Sequence, residues 1–399
     1  MSALTDFVRS AYSRSSAVRE TFKAAGLTPD DIREAGDLAR LPVTHKAELI
    51  QRQQDDPPFG GFLTCPVTEL ARIFVSPGPI YDPQGLREDY WGWAEALAAA
   101  GFARGDIVQN TFSYHLTPAG MMFDGALRKL GCTVIPAGVG NSEHQLRVMR
   151  DVKVNGYVGV PSFLYALLQK AEEMGFTCPG DLRLKRAWVT AERLSEDLRS
   201  LLYDRYGIAV YQGYGTADTG CVAYECRKRR GLHPADRVLL EIADPATGQP
   251  LGPGQAGEVV VTILEPSYPL LRFGTGDLGV MTVEPCACGL PGPRLLGILG
   301  RTGDGVKVRG LFLYPHQIDE LVQRIPGALR CQAVVTRKEF RDELTLLVEL
   351  ASPEDAGAGS DGVAALARDI LRLRAAVEFV PPGSLKGEER LVDRRRWES

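Results

Sequence analysis

From Leu4 to Ala25 the apolar residues Leu4, Phe7, Val8, Ala11, Val18, Phe22 and Ala25 recur at three-, four- and seven-residue spacings. That pattern predicts an amphipathic helix in one or two pieces. Two further helical starts follow, at Leu27 with Thr28 as cap and Pro29 at the first position, and over Leu41–Ile50 with Thr44 as cap and Glu48 in the first turns. Short apolar runs then alternate with amphipathic ones. Strands are expected over Asp106–Phe112, Cys132–Pro136, Gly156–Val160, Leu184–Thr190 and Ala209–Gly215, separated by helices over Thr117–Leu130, His144–Lys153, Ser162–Met174 and Leu194–Tyr206. This rhythm predicts a largely parallel, helix-covered sheet with ligands at the carboxyl ends of its strands.

Before that rhythm settles, Arg72–Ser76 reads as a strand entering Ser76–Gly85, whose Pro and Gly content argues against regular structure, and Leu86–Ala100 reads as a helix. After Tyr214 the runs shorten to Val238–Ile242, Gly257–Ile263 and Leu270–Phe273, with the turn sequence Asp244-Pro-Ala-Thr-Gly between the first two. They predict a small β-barrel or sandwich. Beyond Gly310 a helix from Tyr314, strands near Cys331–Thr336 and Leu344–Leu350, a helix over Val363–Ala376 and the run Val377–Val380 predict a separate α+β unit. The expected fold is therefore α/β: an N-terminal domain over 1–302 with a β-rich subdomain over about 221–302, and a small, mobile α+β domain over 303–399.

Composition narrows the partners. The 399 residues carry 46 Lys and Arg against 50 Asp and Glu, evenly mixed, so no face is marked for nucleic acid or anionic lipid. The short basic runs Arg227–Arg230 and Arg394–Arg396 read as solvated faces. No apolar run approaches the roughly 18 residues that span a bilayer, and the charged N-terminus does not read as a secretory signal. Eight dispersed Cys suit a reducing cytoplasm, the expected location. Small molecules are the expected partners, with a homodimer left open.

Chemistry concentrates between Leu271 and Gly310, where a Thr-Gly-Asp turn, a Cys-Ala-Cys-Gly knuckle and a Gly-Arg-Thr-Gly-Asp-Gly turn follow one another. Cys286 and Cys288 form a two-thiolate knuckle, with Gly289 supplying the permissive turn; Cys226 and His233 lie upstream. Three thiolates and an imidazole suit a closed structural zinc site, while free thiols are the other reading and Cys221 is a reserve ligand.

Three segments occur in one order: Tyr211-Gln-Gly-Tyr-Gly-Thr-Ala-Asp, Phe273-Gly-Thr-Gly-Asp-Leu and Gly300-Arg-Thr-Gly-Asp-Gly-Val-Lys-Val-Arg-Gly. Together with Leu38–Leu49, Pro58-Phe-Gly and Gly131–Pro136, they resemble the adenylate-forming acyl-CoA synthetases, in particular the phenylacetate-CoA ligase branch. The resemblance implies activation of an aromatic or similarly compact carboxylic acid by ATP and Mg2+ to an acyl adenylate, followed by transfer to CoA. It also implies roles for residues. Asp277 would accept from the ribose hydroxyls and Arg301 would donate beside it. Tyr214 would flank the adenine, with Gly213, Gly215 and Thr216 in the same turn and with Ala191 and Glu192 walling the pocket. Tyr114 and His115 would border the acyl group, His115 being either catalytic or a rim histidine. Some relatives also carry a Cys, a His and a Cys-x-Cys pair, which implies a Cys3His zinc site here.

The chain departs from that pattern in the phosphate loop. The family's loop is rich in Ser, Thr and Gly and ends in Gly-Lys-Pro; here it is degenerate, and only Ser76 and Gly78 remain as phosphate contacts. Ala217 replaces a hydroxyl, Asp218 replaces the Glu that helps hold magnesium, and Gly303 replaces the first hinge acid before Asp304. Near the C-terminus Lys386, or Arg390 by a shift, would stand in for the family's lysine that contacts the carboxylate and α-phosphate. These departures keep open a second function, a homologue that binds AMP, acyl adenylate or acyl-CoA without turnover.

Overall fold

A computed structural model describes residues 3–76, 80–302, 306–309, 311–313, 315–352, 359–387 and 389–395. The chain divides into two compact units, Met1–Leu194 with Arg199–Thr302, and Gly303–Ser399 with Ser195–Leu198.

The larger unit opens with helices α1 (Ala3–Arg14) and α2 (Ser16–Ala24), the latter capped by Ser15, whose hydroxyl accepts from the Val18 amide at 3.1 Å. The break into two helices falls at Ser15, where the hydroxyl competes for the backbone. Strand β1 (Thr44–His45) leads directly into α3 (Lys46–Asp55), so the N-cap is His45. Thr44, expected to cap, instead pairs with Phe273 in a strand. Strands β2 (Arg72–Ser76) and β3 (Ile80–Gln84) form an antiparallel hairpin. The segment expected to be irregular is thus partly extended, because Pro83 sits in a two-stranded ribbon where no further strand needs its amide. The helix expected over Leu86–Ala100 shrinks to α4 (Ala94–Ala99), since Asp89 draws the amides of Trp93 and Ala94 to its own carboxylate as a cap.

The alternating section follows as β4 (Ile107–Asn110), α5 (Ala119–Lys129), β5 (Thr133–Pro136), α6 (Ser142–Asp151), β6 (Gly156–Gly159), α7 (Pro161–Glu173), β7 (Arg186–Val189), α8 (Glu196–Tyr206) and β8 (Ala209–Thr216). Strands β5, β4, β6, β7 and β8 are parallel neighbours in that order. The β-rich section contributes β9 (Gly220–Glu225), β10 (Leu232–Pro234), β11 (Val238–Ala243), β12 (Ala256–Ile263), β13 (Leu270–Thr282) and β14 (Arg294–Arg301). These strands pair antiparallel and, among the described residues, join the parallel part through β8 into one sheet of twelve strands, ordered β11-β12-β13-β14-β10-β9-β8-β7-β6-β4-β5 with β1 beside β13. Its core is aromatic at the seam. Trp188, fully buried on β7, meets the ring of Trp93 at 6.0 Å, and Trp93 meets Phe123 at 4.7 Å. Burying side chains of this size contributes about 2–3 kcal/mol each.

In the smaller unit β15 (Val306–Val308) pairs with β16 (Leu311–Leu313), and α9 (Pro315–Arg324) follows. A four-stranded sheet then combines β17 (Ala328–Lys338), β18 (Arg341–Leu350), β19 (Ala376–Val380) and β20 (Leu391–Asp393), with α10 (Gly359–Leu371) between β18 and β19. Val308, Leu313, Ile318, Leu321, Val335, Leu346 and Ala367 belong to its own apolar core. No helix among the described residues is long and apolar enough to cross a membrane.

Candidate active site

Strands β8, β13 and β14 bring three of the singled-out segments together. Asp277 and Arg301 face each other in the register of β13 and β14, and their side chains pair at 3.2 Å. Asp277 was expected in a turn; it lies within β13, and the turn-like residue is Gly276, at φ +74°. A Cβ on Gly276 would approach the Arg301 guanidinium to 3.1 Å, so both conformation and space favour glycine there. From β8 the Tyr214 hydroxyl donates to the second Asp277 oxygen at 2.8 Å. Burial and then the Asp277 charge push the Tyr214 phenol well above its ordinary range, so it remains a donor. Asp277 is thus held from two sides, and each oxygen keeps a lone pair for a further donor.

A methyl at Gly213 would stand 2.4 Å from the Trp188 ring, and one at Gly215 would stand 2.1 Å from the Gly220 carbonyl. Packing against β7 and β9 requires them. Next along β8, the Thr216 hydroxyl reaches Asp218 at 3.2 Å and Thr219 at 2.9 Å. Asp218 is buried, and its Oδ2 pairs with the Lys46 ammonium of α3 at 2.9 Å. Lys46 was not among the expected residues. Because β1 pairs with β13, the start of α3 stands beside the Asp277 strand, and only that long-range pairing brings Lys46 into the site.

Just after β7, Ala191 adopts φ +73°, and Glu192 accepts from the Ser162 amide at the start of α7 at 3.4 Å. Thr190 bonds the Gly213 carbonyl at 2.8 Å, tying this turn to β8. Ser76 is buried, its hydroxyl on the Ile80 carbonyl at 3.4 Å; Gly78 lies outside the described residues, as do Gly303 and Asp304. The His115 segment joins the same hairpin through the Val75 amide, which donates to the Leu116 carbonyl at 2.8 Å. The His115 side chain is exposed, while the Tyr114 hydroxyl accepts from Asn110 at 2.8 Å. Lys386 belongs to the smaller unit, exposed in a loop whose Leu385 carbonyl Arg330 holds at 3.0 Å.

A second centre gathers Cys226, His233, Cys286 and Cys288, whose ligand atoms all lie within 4.8 Å of one another. Cys226 and Cys286 sulfurs are 3.7 Å apart, and Cys288 sulfur is 3.4 Å from His233 Nε2. Tetrahedral zinc with Zn–S bonds of about 2.3 Å has a sulfur–sulfur edge of about 3.8 Å, so the donor set fits such an ion. The amides of Lys228 and Leu290 donate to Cys226 and Cys288 sulfurs at 3.4 Å each, while burial pushes the Cys226 thiol up to about 11. Burial, aided by the Arg294 charge, lowers the His233 pKa and favours the neutral, ligating imidazole. Cys221 lies outside this group, fully buried within β9.

The two centres occupy opposite ends of the same strands. Tyr224 pairs with Gly213 and Thr216 with Gly220, so Cys226 falls about 17 Å along β8 from Thr216 at the usual rise per residue. Likewise Asp277–Arg301 closes one end of the β13–β14 hairpin, and the Cys286–Cys288 knuckle lies beyond Thr282–Arg294 at the other. The knuckle follows the Thr-Gly-Asp segment closely in sequence, yet the register places it at the far end.

A sheet of this order, with an Asp–Arg–Tyr cluster linking β8 to β13 and β14 through side chains and a separate α+β unit after it, defines an AMP-binding enzyme. Residues 94–263 match the AMP-binding enzyme family, and residues 310–395 match the AMP-binding enzyme C-terminal domain. The chain is 34% identical to the phenylacetate-coenzyme A ligase of Thermus thermophilus over 355 residues, covering 86% of this chain and 78% of that one. With the phenylacetate-coenzyme A ligase of Aromatoleum evansii it shares 31% identity over 97% of this chain and 92% of the relative. The protein belongs to the phenylacetate-coenzyme A ligase family. Among solved structures, a 2-hydroxyisobutyryl-CoA ligase in complex with its acyl adenylate and CoA superimposes with a TM-score of 0.89 at 26% identity, covering 98% of this chain and 88% of that one.

Proposed function

We propose that this protein is an AMP-forming ligase that activates a compact, aromatic or similar carboxylic acid with ATP and passes the acyl group to CoA. The observation that carries the reading is the Tyr214–Asp277–Arg301 cluster, with the Thr216–Asp218 turn following Tyr214 at the end of β8. Asp277 receives the ribose hydroxyls, and Arg301 fixes the carboxylate that does so. Tyr214 orients Asp277 through its hydroxyl and presents its ring toward the base.

A carboxylate oxygen of the acid attacks the α-phosphorus, the bond to the bridging oxygen breaks, and pyrophosphate leaves with the electron pair. The thiol of CoA then attacks the acyl carbon, loses its proton, and expels AMP. Lys46, paired with Asp218, supplies positive charge to the phosphate side that the loop itself lacks. Asp218, which accepts from Thr216, would hold magnesium, and the ion would neutralise phosphate charge. The Cys226, His233, Cys286 and Cys288 group is a structural zinc site that joins two hairpin tips. Lys386, exposed in the smaller unit, is the residue that would stand in for the family's lysine. His115, exposed beside the phosphate hairpin, borders the acyl entrance without an assigned proton transfer.

Pyrophosphate release with ATP, magnesium and a panel of aryl and short branched acids tests the reading. Release dependent on at least one acid supports it; binding of AMP with no release from any acid favours a non-turnover homologue.

A further inference from the structure

Asp277 sits on a break in the sheet. Glu258 of β12 pairs with Leu278 of β13 and Val260 pairs with Gly274, so Val259 alone faces Thr275, Gly276 and Asp277. Such a bulge re-aims a side chain, but it takes the local backbone out of the ladder. The freed groups then need other partners. The Gly276 amide donates to Oε1 of Glu258 at 3.0 Å, and the Asp277 amide donates to the Thr275 hydroxyl at 3.2 Å. That hydroxyl in turn donates to the Val259 carbonyl at 2.8 Å, while the Gly276 carbonyl accepts from the Thr302 amide at 2.8 Å. Side chains thus hold the bulge where the ladder does not.

Glu258 is 2% exposed, and burying an acid is costly unless polar groups meet it. It meets the Gly276 amide on one oxygen and, at 3.6 Å, Nδ1 of His45 from β1 on the other. A Cβ on Gly274 would fall 2.6 Å from Oε1, so the neighbouring strand leaves the carboxylate the room it occupies. An amide bonded to a carboxylate is held more firmly than one bonded to a neutral carbonyl. We propose that Glu258 and Thr275 are positioning residues, which lock the bulge through its backbone so that the Asp277 carboxylate stands ready for the ribose hydroxyls. The proposal rests on the reading of Asp277 as the ribose acceptor.

Calorimetric binding of AMP and of dideoxyadenosine monophosphate, which lacks both ribose hydroxyls, tests it on the whole protein. General damage weakens both ligands alike, whereas a displaced Asp277 weakens only AMP. Wild type prefers AMP by about a hundredfold. Glu258→Asp, whose shorter side chain withdraws the acceptor from Gly276 but keeps the charge, lowers that preference about tenfold. Glu258→Gln, which keeps an oxygen at the same reach, holds it within about threefold of wild type. A Glu258→Asp protein with the wild-type preference overturns the proposal. So does one that retains more of it than Glu258→Gln, which would assign the acid to its His45 pair instead. Should Glu258→Asp not fold, Thr275→Val, which keeps the shape and removes the hydroxyl, decides by the same measure. A loss of about tenfold that Thr275→Ser restores supports the proposal, and an unchanged preference overturns it. A wild type that binds both ligands equally defeats the ribose reading and the proposal with it; a wild-type preference that survives the variants defeats the proposal alone.

Discussion

Replacing Asp277 by Ala removes the acceptor on which the nucleotide reading turns. Its two oxygens take the Tyr214 hydroxyl at 2.8 Å and the Arg301 guanidinium at 3.2 Å, and each has capacity for one ribose hydroxyl. Hydrogen bonds to a charged acceptor contribute roughly 1.5–3 kcal/mol apiece. Losing two at the lower end costs about 3 kcal/mol, or about two decades in affinity. AMP binding measured by calorimetry should therefore weaken about a hundredfold in Asp277→Ala and about tenfold in Asp277→Asn, which keeps one oxygen acceptor. Folding should suffer less. Arg301 also lies near the Thr275 and Gly276 carbonyls, at 3.4 and 3.5 Å, so its charge is not abandoned, and a loss of about 1–2 kcal/mol is expected. A folded Asp277→Ala protein that binds AMP within threefold of wild type would refute the clamp.

Two further outcomes can be measured on the purified protein. Metal analysis should find about one zinc per chain, and chelation should lower the melting temperature; less than about 0.2 zinc per chain with unchanged melting would remove the zinc site. Glu95, which accepts from the Asp236 amide at 3.0 Å, has its pKa raised to about 7, chiefly by burial. The folded chain then keeps a proton that the unfolded chain releases between about pH 4.5 and 7, so stability falls as pH rises through that window. Melting of Glu95→Gln should show a smaller loss from pH 5 to 8 than wild type; parallel profiles would show that Glu95 does not titrate there.

Much of the parallel sheet was legible because each of its strands is a short apolar run bounded by an amphipathic helix, a pattern that requires no long-range information. The grouping of Cys226, His233, Cys286 and Cys288 was legible from residue type together with the family resemblance. Its distance from the nucleotide turn was not, since that depends on the register Gly213–Tyr224 and Asp277–Arg301, which no local pattern encodes. Local signals also misled where a side chain competed with the backbone. Asp89 shortened the helix expected from Leu86, and the pairing of Thr44 with Phe273 moved the cap of α3 to His45. Lys46 was overlooked for a related reason. A lysine opening a polar helix reads as surface, and its partner Asp218 lies 172 residues away.

The central claim, that the site performs adenylation and transfer, is tested most directly by following products in one vessel containing protein, ATP, magnesium, CoA and a panel of aryl and short branched acids. The account predicts, for at least one acid, an acyl-CoA thioester formed in equal amounts with AMP and pyrophosphate, and loss of all three in Asp277→Ala. AMP binding without pyrophosphate or thioester from any acid would contradict it.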